Sequence, residues 1–200
     1  MIAGILLAAG AGSRFGGAKL LAELGDGRVL AQASAEPLVA AADEVVAVVR
    51  PGDARLEAIL AASGCRIVHC KHAADGMGSS LACGVRAAAD AQGWVVGLAD
   101  MPGIGTATVA RVVAALRRGA DLVAPACRGR RGHPVGFARR YGAELAVLAG
   151  DTGARGILQQ YAARMELLDT DDAGVLADVD TPGDLEALAQ AISREPGGEN

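Results

Sequence analysis

The sequence predicts an α/β protein built on a mostly parallel sheet, and three observations carry that expectation. Short apolar runs of strand length alternate along the chain with helical patterns, as in strand–helix–strand units. The first run, Ile2–Leu7, breaks into a glycine-rich loop, and the other chemistry-bearing residues also follow strand-like runs. Ligand-binding residues of open α/β sheets sit at such carboxyl ends. The 200 residues suit one domain with a sizeable core.

Strands are expected at Ile2–Leu7, Glu44–Val49, Arg66–His69, Trp94–Leu98 and Leu122–Pro125, with less regular patterns at Met165–Leu168 and Gly174–Val179. Helices are expected at Leu30–Ala41, Asp53–Ala62, Ser79–Ala89, Thr106–Arg117, Ala138–Leu148, Gly153–Ala163 and Pro182–Ile192. Pro37 has no N–H to give and should kink the first helix. Asp53 and Thr181 suit N-caps, and Pro182 then falls at the favoured first helical position. Arg131–Phe137 is too rich in glycine and proline for a strand interior and reads as a loop or edge turn. The domain should span residues 1–193, followed by a disordered polar tail, 194–200.

Composition narrows the classes. Hydrophobic residues make up 52% but aromatics only 2%, so the core should be Ala, Val, Leu and Ile between closely packed helices. A net charge of −4 argues against a general nucleic-acid surface. Positive charge is local, at Arg14/Lys19 and in Arg128-Gly129-Arg130-Arg131. The four cysteines (Cys65, Cys70, Cys83, Cys127) show no C-x-x-C spacing and read as reduced, buried thiols, not a zinc set. Met1–Gly12 lacks a basic leader and is too short to span a bilayer. A soluble, cytoplasmic protein is expected.

The loop Leu7-Ala8-Ala9-Gly10-Ala11-Gly12-Ser13-Arg14-Phe15-Gly16-Gly17-Ala18-Lys19 carries the strongest chemical signal. Glycines let successive N–H groups point into one concavity, and Arg14 and Lys19 add full charges to it. That describes a phosphate cradle, or else a flexible loop with solvated charges. The dinucleotide fingerprint is excluded because the glycines are one residue out of step. The P-loop is excluded because Ala18 intervenes before Lys19 and no hydroxyl follows.

Further along, Asp100 in Leu98-Ala99-Asp100-Met101-Pro102 is placed to hold Mg²⁺, or to cap a turn. Asp180, before Thr181-Pro182, is either a second metal ligand or a plain helix start. Gly76-Met77-Gly78-Ser79-Ser80 opens a helix and could meet a base, ribose or phosphate, although capping explains one serine. His133 is a general-base candidate or, more simply, a surface histidine packed in a turn. Asp151-Thr152-Gly153-Ala154-Arg155 offers an anion site at Arg155 or a mere helix connection.

Together these segments resemble one family. LAAGAGSRFGGAKLL, GMGSSL, LADMP, GHPVGF, GDTGAR and DVDTPGDL, in this order from Ile2 to about Ile192, are similar to the MobA/MocA-like nucleotidyltransferases, nearest the molybdenum cofactor cytidylyltransferases. The resemblance implies a single Rossmann-like three-layer α/β/α domain with a mixed, mainly parallel sheet, as in nucleotide-diphospho-sugar transferases. It implies nucleotide binding by Leu7, Ala8, Ala9, Gly10, Gly12, Arg14, Lys19, Gly78, Ser79 and Asp100. Catalysis would rest on Arg14, Lys19 and Asp100, and Mg²⁺ on Asp100 and Asp180. His133, Pro134, Asp151 and Arg155 would face the second substrate, a pterin phosphate. Ala9 and Gly132-His133-Pro134-Val135 lean to the cytidylyl branch. Phe15, where methionine is commoner, and Ala99 before the aspartate depart from the pattern without removing a charge.

The implied reaction is attack by the phosphate of molybdopterin on the α-phosphorus of CTP, releasing pyrophosphate, with transient contact to a molybdoenzyme or its chaperone. A phosphomonoester is already ionised at neutral pH, since its second pKa is about 6, so a general base has little to do. Three other readings stay open. They are a transferase using GTP or a sugar or polyol phosphate, a non-catalytic cofactor chaperone, which intact Arg14, Lys19 and Asp100 disfavour, and a nicotinamide dehydrogenase on a similar sheet, which the mis-spaced glycines disfavour.

Overall fold

The computed structural model describes residues 1–10, 15 and 18–194, with side chains to residue 190. Gly12 and Arg14, and residues 195–200 of the expected tail, lie outside the described residues. The chain folds as one α/β domain around a mixed, mainly parallel sheet. Its strands are β1 (Ile2–Leu7), β2 (Glu44–Val49), β3 (Arg66–His69), β4 (Gly93–Leu98), β5 (Leu122–Cys127), β6 (Arg130–Arg131), β7 (Val135–Ala138) and β8 (Met165–Asp169). They lie in the order β3-β2-β1-β4-β7-β5-β6, with β8 pairing β5.

The strands that bear the site are buried throughout or nearly so, whereas β3 and β8 are half-exposed edge strands. Their apolar runs need helices on both faces, and two core layers supply them. On one face, α1 (Leu30–Ala41), α2 (Ala54–Ala62) and α4 (Thr106–Arg117) cover Ile2, Leu6, Val45, Ala47 and Val95. On the other, α3 (Met77–Ala87), α5 (Gly142–Ala146) and α6 (Arg155–Gln160) cover Ala3, Ile5, Val46, Val48 and Trp94. The final helix, α7, runs from Pro182 to Arg194.

Local signals work where they are short-range. The Asp53 carboxylate accepts from the Leu56 N–H at 3.2 Å, capping α2. Thr181 Oγ1 accepts from the Asp184 N–H at 3.2 Å, and Asp184 Oδ2 accepts from the Thr181 N–H at 2.7 Å. That reciprocal box starts α7. Pro37 sits inside α1, which is helical through Ala41.

Four expectations need correction. Val135–Ala138 is not a loop but an interior strand, antiparallel to both β4 and β5. Gly136 is required there because a Cβ would come within 2.5 Å of Val123 Cγ1. The turn into β7 carries a cis His133–Pro134 peptide. Gly174–Val179 is not a strand, since Ala173–Leu176 winds as a 3₁₀ turn held by Asp172, which accepts from the Gly174 N–H. Ala138–Leu148 shortens to a 3₁₀ turn and the five-residue α5. The helix expected at Gly153–Ala163 contracts to α6.

The β5–β6 hairpin turns on Arg128 and Gly129, with φ of 51° and 72°. Two positive φ values are the signature of a tight I′-type turn, which favours Asn-Gly. An arginine there costs of order 1–3 kcal/mol of backbone strain.

Candidate active site

Strand order reverses between β1 and β4: β1 runs on to β2 on one side, while β4 takes up the chain on the other. Ligands of open α/β sheets lie at the carboxyl end of such a switch point. Both ends are pinned there, because the Ala8 N–H donates to Val48 O and the Ala99 N–H to Leu7 O.

Lys19 lies in a short 3₁₀ turn just beyond the glycine loop and is only 8% exposed. Its Nζ donates to Asp100 Oδ2 and to Asp180 Oδ1, each at 2.9 Å. The sequence shows no obvious acidic partner for Lys19, yet the fold brings two from 81 and 161 residues away. Burial opposes the lysine charge, but the two carboxylates outweigh it and hold Lys19 above its usual value. The Val179 N–H donates to Asp100 O at 2.9 Å, fixing the segment that carries Asp180 against the strand that carries Asp100. Two hard-oxygen ligands gathered on one cation suit Mg²⁺ or Mn²⁺, which take one or two carboxylates and complete their shell with phosphates and water.

A second grouping forms on the β3 side. The Gly78 N–H donates to Gly150 O at 2.7 Å, and a Cβ on Gly76 would sit 2.2 Å from Asp151 Oδ1. Two segments read separately in the sequence are thus one packed unit. The Gly78 N–H is already used within the protein. Ser79 is buried, whereas Asp151 and Arg155 are exposed.

His133 is half-buried. Its Nδ1 is buried without a hydrogen-bond partner, and its backbone N–H donates to Val175 O. Burial, then the Arg131 charge, pushes its pKa below the usual 6.5 against the opposing pull of the Val96 carbonyl, Asp100 and Asp178. Above 6.5 the imidazole is neutral in both folded and unfolded chains. Below it, the unfolded chain takes up a proton that the fold resists, so stability falls with pH. The thermal midpoint should therefore drop as the pH falls below 6.5, less steeply in His133→Gln. Parallel pH profiles in the two proteins would contradict this.

One neighbour escaped the sequence reading. Arg50, at the end of β2, donates from Nε to Ala9 O at 2.5 Å and so clamps the described part of the glycine loop. Its only sequence signal is an arginine directly after an apolar strand.

The lysine that gathers two aspartates thus sits at the switch point, where doubly wound α/β enzymes bind their ligands. The chain belongs to the MobA-like NTP transferase domain family, which it matches over residues 4–166. It is 37% identical over 193 residues to nicotine blue oxidoreductase of Paenarthrobacter nicotinovorans, covering 90% of this chain and 92% of that protein. The solved structure of Rv0371c from Mycobacterium tuberculosis H37Rv superposes with a TM-score of 0.80 at 27% identity, covering 94% of this chain and 97% of that one. A nucleotidyl transferase from Methanothermobacter thermautotroptrophicus, Mth528, shares the fold with a TM-score of 0.82 at 22% identity, over 98% and 99% of the two chains.

Proposed function

We propose that the protein transfers CMP from CTP to the phosphate of an acceptor, with molybdopterin the acceptor its motifs favour, and releases pyrophosphate. The observation that carries this reading is Lys19 holding Asp100 and Asp180 together at the switch point. Leu7–Gly10, Gly12, Gly78 and Ser79 would line the nucleotide, and Arg14 and Lys19 would meet its phosphates. Asp100 and Asp180 would hold the divalent ion, which supplies neutralisation of the triphosphate charge when bound. Rv0371c has also been solved in complex with manganese, at 25% identity and a TM-score of 0.77 over 94% of this chain and 97% of that one.

Such a transfer depends on in-line positioning and charge stabilisation. Lys19 would turn from the aspartates toward the phosphates. His133, held neutral, and Pro134 would line the acceptor from one side, and Asp151 and Arg155, on the segment packed with Gly76 and Gly78, would close it from the β3 side. No proton need be removed from an ionised phosphate. A cytoplasmic setting and contact with a molybdoenzyme belong to the same proposal. Among the described residues no helix is long and apolar enough to cross a membrane.

The test is pyrophosphate release with each of the four NTPs, Mg²⁺ and molybdopterin. CTP should exceed GTP. On this reading the methyl of Ala9, just beyond the end of β1, would narrow the base pocket in favour of a pyrimidine. One methyl changes discrimination by roughly 1–3 kcal/mol. Ala9→Gly should then raise kcat/KM for GTP relative to CTP by about tenfold or more. A wild-type preference for GTP would sink the cytidylyl assignment.

The identity to nicotine blue oxidoreductase favours a second reading, an oxidoreductase on the same fold. Reduction of nicotine blue by a nicotinamide cofactor, with no pyrophosphate formed from any NTP, would select it.

A further inference from the structure

The β5–β6 hairpin carries three guanidiniums that the proposed chemistry leaves unused. Arg128, Arg130 and Arg131 are all exposed, and none makes an ion pair or side-chain hydrogen bond among the described residues. Most other described arginines are engaged, Arg55 and Arg155 apart: Arg28, Arg66 and Arg117 meet carboxylates, and Arg86, Arg111 and Arg139 meet backbone carbonyls. Three uncompensated cations within four residues stand out in a chain of net charge −4.

Backbone conformation singles out the same place. Arg128 holds φ at 51° in a turn that suits asparagine or glycine better. A strained backbone position points to a role for the side chain it carries.

Topology sets the hairpin beside the site. Strand β7 is antiparallel to both β4 and β5, so β5 runs parallel to β4 and ends at the same edge as Asp100. Arg131 ends β6 two residues before His133, in the turn that leads into β7, and β7 pairs with β4, the strand that carries Asp100 at its end. The described start of the glycine loop, Arg50 and Gly76–Gly78 lie on the β1-β2-β3 side. The hairpin therefore stands across the switch point from them.

We propose that Arg128, Arg130 and Arg131 dock the acceptor, and that they recognise a phosphomonoester dianion on it. This rests on the nucleotidyl-transfer reading and adds where the second substrate binds. Guanidinium forks match phosphate oxygens bidentately. A dianion approaching a triphosphate needs cations on its own side as well, or repulsion keeps the two apart.

The test is calorimetric titration of the full chain with inorganic phosphate, in the presence of Mg²⁺ and the non-transferable analogue α,β-methylene-CTP. Arg130→Ala/Arg131→Ala should weaken phosphate binding by about tenfold or more, with the affinity for the CTP analogue unchanged. Arg128→Gly relieves the turn, so it should weaken phosphate binding while leaving the thermal midpoint equal or higher. Phosphate affinity within twofold of wild type in both variants overturns the proposal, as does wild-type protein that binds no phosphate. A parallel fall in CTP-analogue affinity also overturns it, because the arginines would then serve the triphosphate. Failure of the wild type to bind the CTP analogue at all would instead remove the nucleotidyl-transfer reading.

Discussion

Lys19→Ala should abolish nucleotidyl transfer, lowering kcat/KM by at least about a hundredfold, as expected when a charge aimed at a reacting phosphate is removed. From sequence alone, a lysine with no acidic neighbour should be removable without cost to the thermal midpoint. Its two ion pairs change that expectation. Truncation leaves Asp100 and Asp180 facing each other without their shared cation. They keep 28% and 37% of their side-chain exposure, so water screens much of the penalty. A loss of about 1–2 kcal/mol is expected. The Lys19 contribution is complete below the usual 10.5 and is lost only as pH rises through its raised value, so no change is expected near neutrality. Added Mg²⁺ should raise the melting temperature of the variant more than that of wild type, because the carboxylates no longer hold an ammonium. Near wild-type pyrophosphate release from Lys19→Ala would defeat the phosphate role.

Asp100→Asn should lose metal-dependent turnover by roughly a hundredfold or more, and Asp180→Asn by about tenfold. Asp100 follows β4 directly, and hydrogen bonds at Ala99 N–H and Asp100 O fix its backbone from both sides. Asp180 stands on the lead-in to α7, where its N–H donates to Asp184 Oδ2. The more firmly held ligand should matter more, because the phosphate geometry is set from it. Both variants should also need higher Mg²⁺ for half-maximal rate. If Asp180 proves indispensable while Asp100 can be replaced freely, the ranking is wrong.

The parts of the fold legible in the sequence are those governed by local rules. Strands β1, β2 and β3 follow their apolar runs to the residue, and the Asp53 and Thr181 caps form as their side chains suggest. Strand β7 was hidden because its Gly136 reads as a breaker, when in fact it makes room for Val123. Nothing within Val135–Ala138 reveals that two neighbours will flank it. The candidate site was legible as a set of residues but not as an arrangement. The Lys19 bridge joins residues from three distant segments, and the use of the Gly78 N–H by Gly150 depends on a loop some seventy positions later. Arg50 was missed because its partner is a backbone oxygen, which no side-chain pattern announces.

The reversal of strand order at β1 and β4 also bears on how such a protein could diversify. Everything toward β3 is parallel, continuous and committed to the glycine loop. Everything toward β5 passes through a short antiparallel strand, a tight hairpin and a 3₁₀ turn. Side chains in those connections can be exchanged with little disturbance to the parallel half, because the two halves are joined in the sheet by the single β1–β4 ladder. One half can thus stay fixed while the other is rewritten for a new reaction partner. A shared scaffold carrying transferases and a protein named for redox chemistry is what that modularity would produce.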